Sequence, residues 1–138
     1  MRSTAKLSCL ISLLSVIVAP QMALAQIPDD LRGTLIVLNK SGHDASFIDL
    51  GSGEILQTLP TGRGPHELVV SDDGRWAVGT DYSGGNSLTV FDIEELQVAR
   101  TISLHDYPRP HGIVFLPEQE QVIVTSEASQ QLVVVDFH

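Results

Sequence analysis

Of 138 residues, only Cys9 carries a thiol. A chain with a single cysteine, placed ahead of everything that reads as folded, can build neither an internal disulfide framework nor a thiolate metal centre. A cysteine nucleophile is excluded from the folded part on the same ground. Basic residues are scarce too: 8 Lys and Arg stand against 17 Asp and Glu, a formal charge of −9. That balance repels phosphate backbones and anionic head groups, so neither nucleic acid nor a membrane surface is an expected partner. Cations, cationic ligands or neutral molecules suit it better. Long hydrophobic runs are missing as well. The longest, Leu7 to Ala19, is shorter than the ~20 residues a membrane-spanning helix requires, and Pro20 interrupts it. After Gln26 no stretch sustains a 3.6-residue apolar period, which argues against a helical bundle. Gly-x-Ser-x-Gly, a phosphate-cradling glycine loop and His-Glu-x-x-His are all absent, so no motif names an enzyme.

What is present begins with a leader. Arg2 and Lys6 form a basic start, Leu7 to Ala19 an apolar core, and Ala23-Leu24-Ala25 a small-x-small cleavage site. Residues 1–25 therefore read as a signal peptide, and the mature chain is expected to start at Gln26 in the periplasm or outside the cell. Cys9 lies before the apolar region, where a lipid-modified cysteine cannot be. Cleavage removes two of the eight basic residues and none of the 17 acidic ones, leaving a formal charge of −11.

Residues 26–33 are a polar lead. Beyond them the sequence repeats. Gly64-Pro65-His66-Glu67-Leu68-Val69-Val70 and Arg109-Pro110-His111-Gly112-Ile113-Val114-Phe115 lie 45 positions apart. Each opens a unit of short apolar runs that closes on aspartate: Asp49, Asp92 and Asp136 recur at intervals of 43 and 44 residues. Asp73-Gly74 between apolar runs is a hairpin signal, because glycine accepts the positive φ of a tight turn. The runs count three, four and three strands, in units 34–61, 62–105 and 106–138. A period of about 40–45 residues with four strands per unit predicts an all-β chain of antiparallel β-propeller blades. Leu68-Val69-Val70 and Ile113-Val114-Phe115-Leu116 do not alternate with polar residues, as expected of inner strands covered on both faces. About two and a half blades cannot close a ring of roughly four to eight, so a longer chain is expected.

The run Ile123-Val124-Thr125-Ser126-Glu127-Ala128-Ser129-Gln130-Gln131-Leu132-Val133-Val134-Val135-Asp136, and Ile36 through Asp49 at equal length, resemble the second half of the YVTN (YncE-like) repeat. Trp76 through Asp92 follows with one added residue near Gly84-Gly85. The resemblance implies an exported propeller of about seven blades that acts as a scaffold for a small molecule or protein. It also implies two alternatives: a lactonase-like metal-assisted hydrolase and a tetrapyrrole-binding propeller of the haem d1 kind.

Alternating strand direction gathers Ser41 to Asp44, Arg63 to Glu67, Tyr82 to Asn86, Asp106 to His111 and Glu127 to Gln130 at one end of the blades. His66 and His111 occupy equivalent positions there, at the entrance to the inner strands of adjacent blades. With His43, His105, Glu67 and Asp106 as neighbours on that face, they are the candidate metal ligands, and a divalent metal is the candidate cofactor. No catalytic residue is assigned. The competing reading makes each histidine a hydrogen-bonding support for the next blade. Asp49, Asp92 and Asp136 are expected to accept turn hydrogen bonds, Trp76 and Phe115 to lie in the core, and Pro65 and Pro110 to serve structure alone.

Overall fold

The computed structural model describes residues 28, 30–118 and 120–138. The expected leader and its cleavage site lie outside the described residues. The described chain consists of ten strands and no helix. These are β1 (Thr34–Asn39), β2 (Asp44–Asp49), β3 (Ile55–Pro60), β4 (Pro65–Val70), β5 (Trp76–Asp81), β6 (Ser87–Asp92), β7 (Gln97–Ser103), β8 (Pro110–Phe115), β9 (Gln121–Ser126) and β10 (Gln131–Asp136).

They form three antiparallel sheets, β1-β2-β3, β4-β5-β6-β7 and β8-β9-β10. The sequence repeat aligns β4 with β8, β5 with β1 and β9, and β6 with β2 and β10. The first sheet thus lacks a counterpart of the inner strand β4, and the third lacks a counterpart of the outer strand β7. These are consecutive blades of a β-propeller, the middle one complete.

The middle blade is packed on both faces. Ala77 and Phe91 join Ala45, Phe47 and Leu59 of the first blade, where the Phe47 and Phe91 rings meet edge to face at 5.4 Å. Val78, Leu88 and Val90 face the other way and join Val122, Val124, Val135 and Phe137 of the third blade. Inner strand β4 sends Leu68 to the first cluster and Val69 to the second. That is why its apolar residues do not alternate with polar ones. Val70, at the end of that run, is exposed; Val114 is exposed in the middle of the β8 run, so β8 is covered on one face only among the described residues, contrary to the expectation for an inner strand. Trp76 and Phe115 are partly buried against the second cluster. The ten strands group three, four and three, as the repeat counts them. β2, β6 and β10 stop at the aspartate, one residue before the apolar Leu50, Ile93 and Phe137. The aspartate side chain takes the turn: Asp49 accepts from Ser52 N–H at 2.7 Å, and Asp92 from Glu94 and Glu95 N–H at 3.1 Å each. Asp136 accepts from His138 N–H at 3.0 Å.

Candidate functional site

The two histidines are aimed by a shared irregularity. In β4, Pro65 pairs with Asp81 but Leu68 pairs with Gly79, so His66 and Glu67 together stand opposite Thr80 alone. In β8, Pro110 pairs with Ser126 and Ile113 with Val124, leaving His111 and Gly112 opposite Thr125. An extra residue of this kind is a β-bulge, which bends the strand and redirects a side chain. The threonine hydroxyls replace the interrupted ladder bonds. Glu67 N–H donates to Thr80 Oγ1 at 3.1 Å, and Gly112 N–H to Thr125 Oγ1 at 2.8 Å. Thr80, fully buried, also donates to the His111 carbonyl at 3.0 Å, which ties the two bulges together across the blade boundary.

The backbone before each proline is left-handed as well, with φ of +61° at Gly64 and +58° at Arg109. At Gly64 a Cβ would collide with Ser83, so glycine is required. Arg109 accepts the strained conformation. Its guanidinium lies over the Tyr82 ring at 5.0 Å, donates to the Tyr82 hydroxyl at 2.6 Å and pairs with Glu127 at 3.2 Å.

These devices bring His66 and His111 together, ring centroids 4.4 Å apart. Glu67 joins them. Its Oε1 lies 3.1 Å from His111 Nδ1 and 4.0 Å from His66 Nδ1. Tyr82 closes the cluster, its ring centroid 5.1 Å from His66 and 4.8 Å from His111, edge-on to the latter. Its hydroxyl donates to Glu127 Oε2. The Lys40 ammonium sits 5.2 Å from the same ring. The His66 imidazole is held below its ordinary pKa by burial first, then by the charges of Lys40 and His111, with Glu67 pulling the other way. It is therefore neutral at physiological pH, with a lone pair to offer.

The remaining predicted neighbours stand apart from this trio. His43, at φ +59°, accepts the Gly64 N–H on Nδ1 at 2.9 Å. It is thus the histidine that supports the neighbouring blade's backbone. His105 and Asp106 pair with each other at 3.2 Å, both more than four-fifths exposed. His138 lies at the opposite end of the blades, by Trp76. Tyr82, Arg109 and Glu127 lie in segments that strand direction alone assigns to the same face, but nothing in their residue types marks them as a cluster. Lys40 was missed altogether, one residue outside the loop that the alternation picks out.

No family model matches the chain, and no curated relative matches it. Solved structures do. Kuenenia stuttgartiensis hydrazine synthase superposes with a TM-score of 0.67 at 24% identity, over 75% of this chain and 29% of that one. Dihydro-heme d1 dehydrogenase NirN, in complex with DHE, gives 0.64 at 17% identity, over 86% and 24%. The β-propeller domain of Cps50 (Swd1) from Myceliophteria thermophila gives 0.57 at 15%, over 78% and 38%. The fold is a propeller's. At these identities the likeness shows architecture alone, and the chain spans between 24% and 38% of the length of those structures.

Proposed function

We propose that this chain is part of an exported YVTN-type propeller that binds a ligand, without turning it over, at the blade end where β4 and β8 begin. The leader pattern of residues 1–25 supports export, and the repeat register supports the family. One observation carries the site: two equivalent bulges, 45 residues apart in sequence, turn His66 and His111 onto one another and onto Glu67 within 4.8 Å. A purely structural histidine in this fold looks like His43, with a ring nitrogen satisfied by backbone. Among the described residues neither His66 nor His111 has such a backbone partner; both turn their rings to Glu67 and Tyr82 instead.

The two alternatives place different chemistry on the same residues. A lactonase-like hydrolase would use the histidines and Glu67 with a metal; a tetrapyrrole propeller would use one histidine as an axial ligand. Amide NMR spectra of the full-length protein, recovered from the periplasm or medium and checked by mass to begin at Gln26, separate the three. The probes are succinate, gluconolactone and haemin. The expected result is saturable shifts confined to His66, Tyr82, Arg109 and His111, with no lactone consumed. Shifts centred on Trp76 and His138 would overturn the site. Lactone consumption lost in the His66→Ala/His111→Ala variant would replace the scaffold with the hydrolase. A Soret shift lost in that variant would replace it with the tetrapyrrole reading.

A further inference from the structure

The donor atoms of the trio lie within 4.8 Å of one another, near enough for side-chain rotation to close them onto one ion. A tetrahedral zinc ion with bonds of about 2.0–2.1 Å holds its ligand atoms roughly 3.3–3.4 Å from one another. The two separations from Glu67 Oε1, 3.1 Å to His111 Nδ1 and 4.0 Å to His66 Nδ1, fall on either side of that value. A shift of a few tenths of an ångström in flexible side chains makes them equal. Two imidazoles and a carboxylate, with no thiolate, favour zinc, nickel or copper(II) over magnesium, calcium or copper(I).

The scaffold is stiff where it must be. His66 and His111 leave from bulges pinned by Thr80 and Thr125, and the Thr80 hydroxyl holds the two backbones at a fixed distance. The side chains of Glu67, His66 and His111 are only 41%, 31% and 39% exposed, so the ion would be half sheltered and still reachable. Three protein ligands leave one position open, the pattern of a site that exchanges its fourth ligand. Beside that position, Tyr82 presents a ring flanked by the Lys40 ammonium and the Arg109 guanidinium. Lys40 has no carboxylate partner among the described residues. Arg109 is already paired with Glu127, so the Lys40 ammonium is the charge that, in a chain this acidic, favours an oxyanion as the fourth ligand.

We infer that His66, Glu67 and His111 form a divalent transition-metal site, and that the ligand proposed for this blade end binds through a carboxylate-type oxygen on the ion. The inference rests on this blade end being the binding face and adds how the face holds its ligand.

Calorimetric titration of the chelator-treated full-length protein with Zn²⁺, repeated with Co²⁺ and followed by visible absorption, tests it. The expected result is one ion per chain and a cobalt spectrum of tetrahedral or five-coordinate intensity that changes when succinate is added. His66→Ala and His111→Ala should each weaken Zn²⁺ binding on the order of tenfold or more, and the double variant should abolish it. Glu67→Gln guards against a folding failure, since it keeps shape and hydrogen bonding while removing the charge; it should weaken binding and leave the circular dichroism spectrum unchanged. His138→Ala should bind as wild type. Stoichiometric binding that survives in the double variant, or no binding by wild type, would overturn the inference. Succinate shifts at His66 and Tyr82 in metal-free protein would then leave the proposed binding at this blade end standing by itself.

Discussion

Thr80 decides how well the two histidines are held. Its hydroxyl accepts from Glu67 N–H and donates to the His111 carbonyl, and the side chain is fully buried between blades. Valine has nearly the same shape and no hydroxyl. Thr80→Val therefore leaves a half-buried N–H and a half-buried carbonyl without this partner, which costs about 1–3 kcal/mol. Denaturant unfolding should show that loss. The equivalent Thr125→Val should show less, because Thr125 is exposed and serves only its own bulge. Equal losses at the two positions would contradict the cross-blade role given to Thr80.

At the level of elements, the second strand of each blade ends on a hydrogen-bonding residue, which in the first two blades grips the third strand and in the last ties the neighbouring loops. Asn39 donates to Asp44 at 2.6 Å and Ser46 at 2.8 Å; Ser126 accepts from Ser129 at 2.7 Å and donates to the Pro108 carbonyl at 2.8 Å. In the middle blade the residue is Asp81, fully buried, accepting from Ser87 at 2.6 Å and Thr89 at 3.1 Å. Burial pushes its pKa above the usual 3.8, with the Ser87 and Thr89 hydrogen bonds only partly opposing. A carboxyl whose folded pKa is raised favours the folded state while both states are protonated. That advantage disappears as pH climbs from the unfolded value through the folded one. Asp81→Asn cannot ionise, and asparagine already serves at the equivalent position 39. Relative to wild type, the variant should gain thermal stability between pH 4 and pH 7. A gap that stays constant or narrows over that range would refute the assignment.

How much of this was legible in sequence depends on the device. Strand order followed from the repeat, and turn capping by Asp49, Asp92 and Asp136 from their place at strand ends. The bulges did not show. Pro65 and Pro110 read as structural only, with nothing to say that each pairs in the ladder just before a bulge. The Tyr82–Arg109–Glu127 group was hidden for another reason: its members come from three separate loops, and only the stacking of blades brings them together.

For the molecule as a whole, the packed middle blade contrasts with its neighbours' outer faces. Ile55 and Leu56 are exposed on the first sheet, and Leu132 and Val134 on the third, at 62%, 46%, 68% and 51%. Blade faces of this composition suit further blades, which is how a propeller buries them. The stacking also makes the central claim accessible to chemistry. Residues 26–138 contain no cysteine, so in that span His66→Cys/His111→Cys carries two thiols and no others, and a short bis-methanethiosulfonate reagent could join them inside one molecule. His66→Cys/His138→Cys provides the control, its thiols at opposite ends of the blades. Efficient intramolecular bridging in the first variant and none in the second, read by mass spectrometry of the intact protein, is the predicted result. Equal bridging in both, or none in the first, would contradict the convergence of the two repeats on one site.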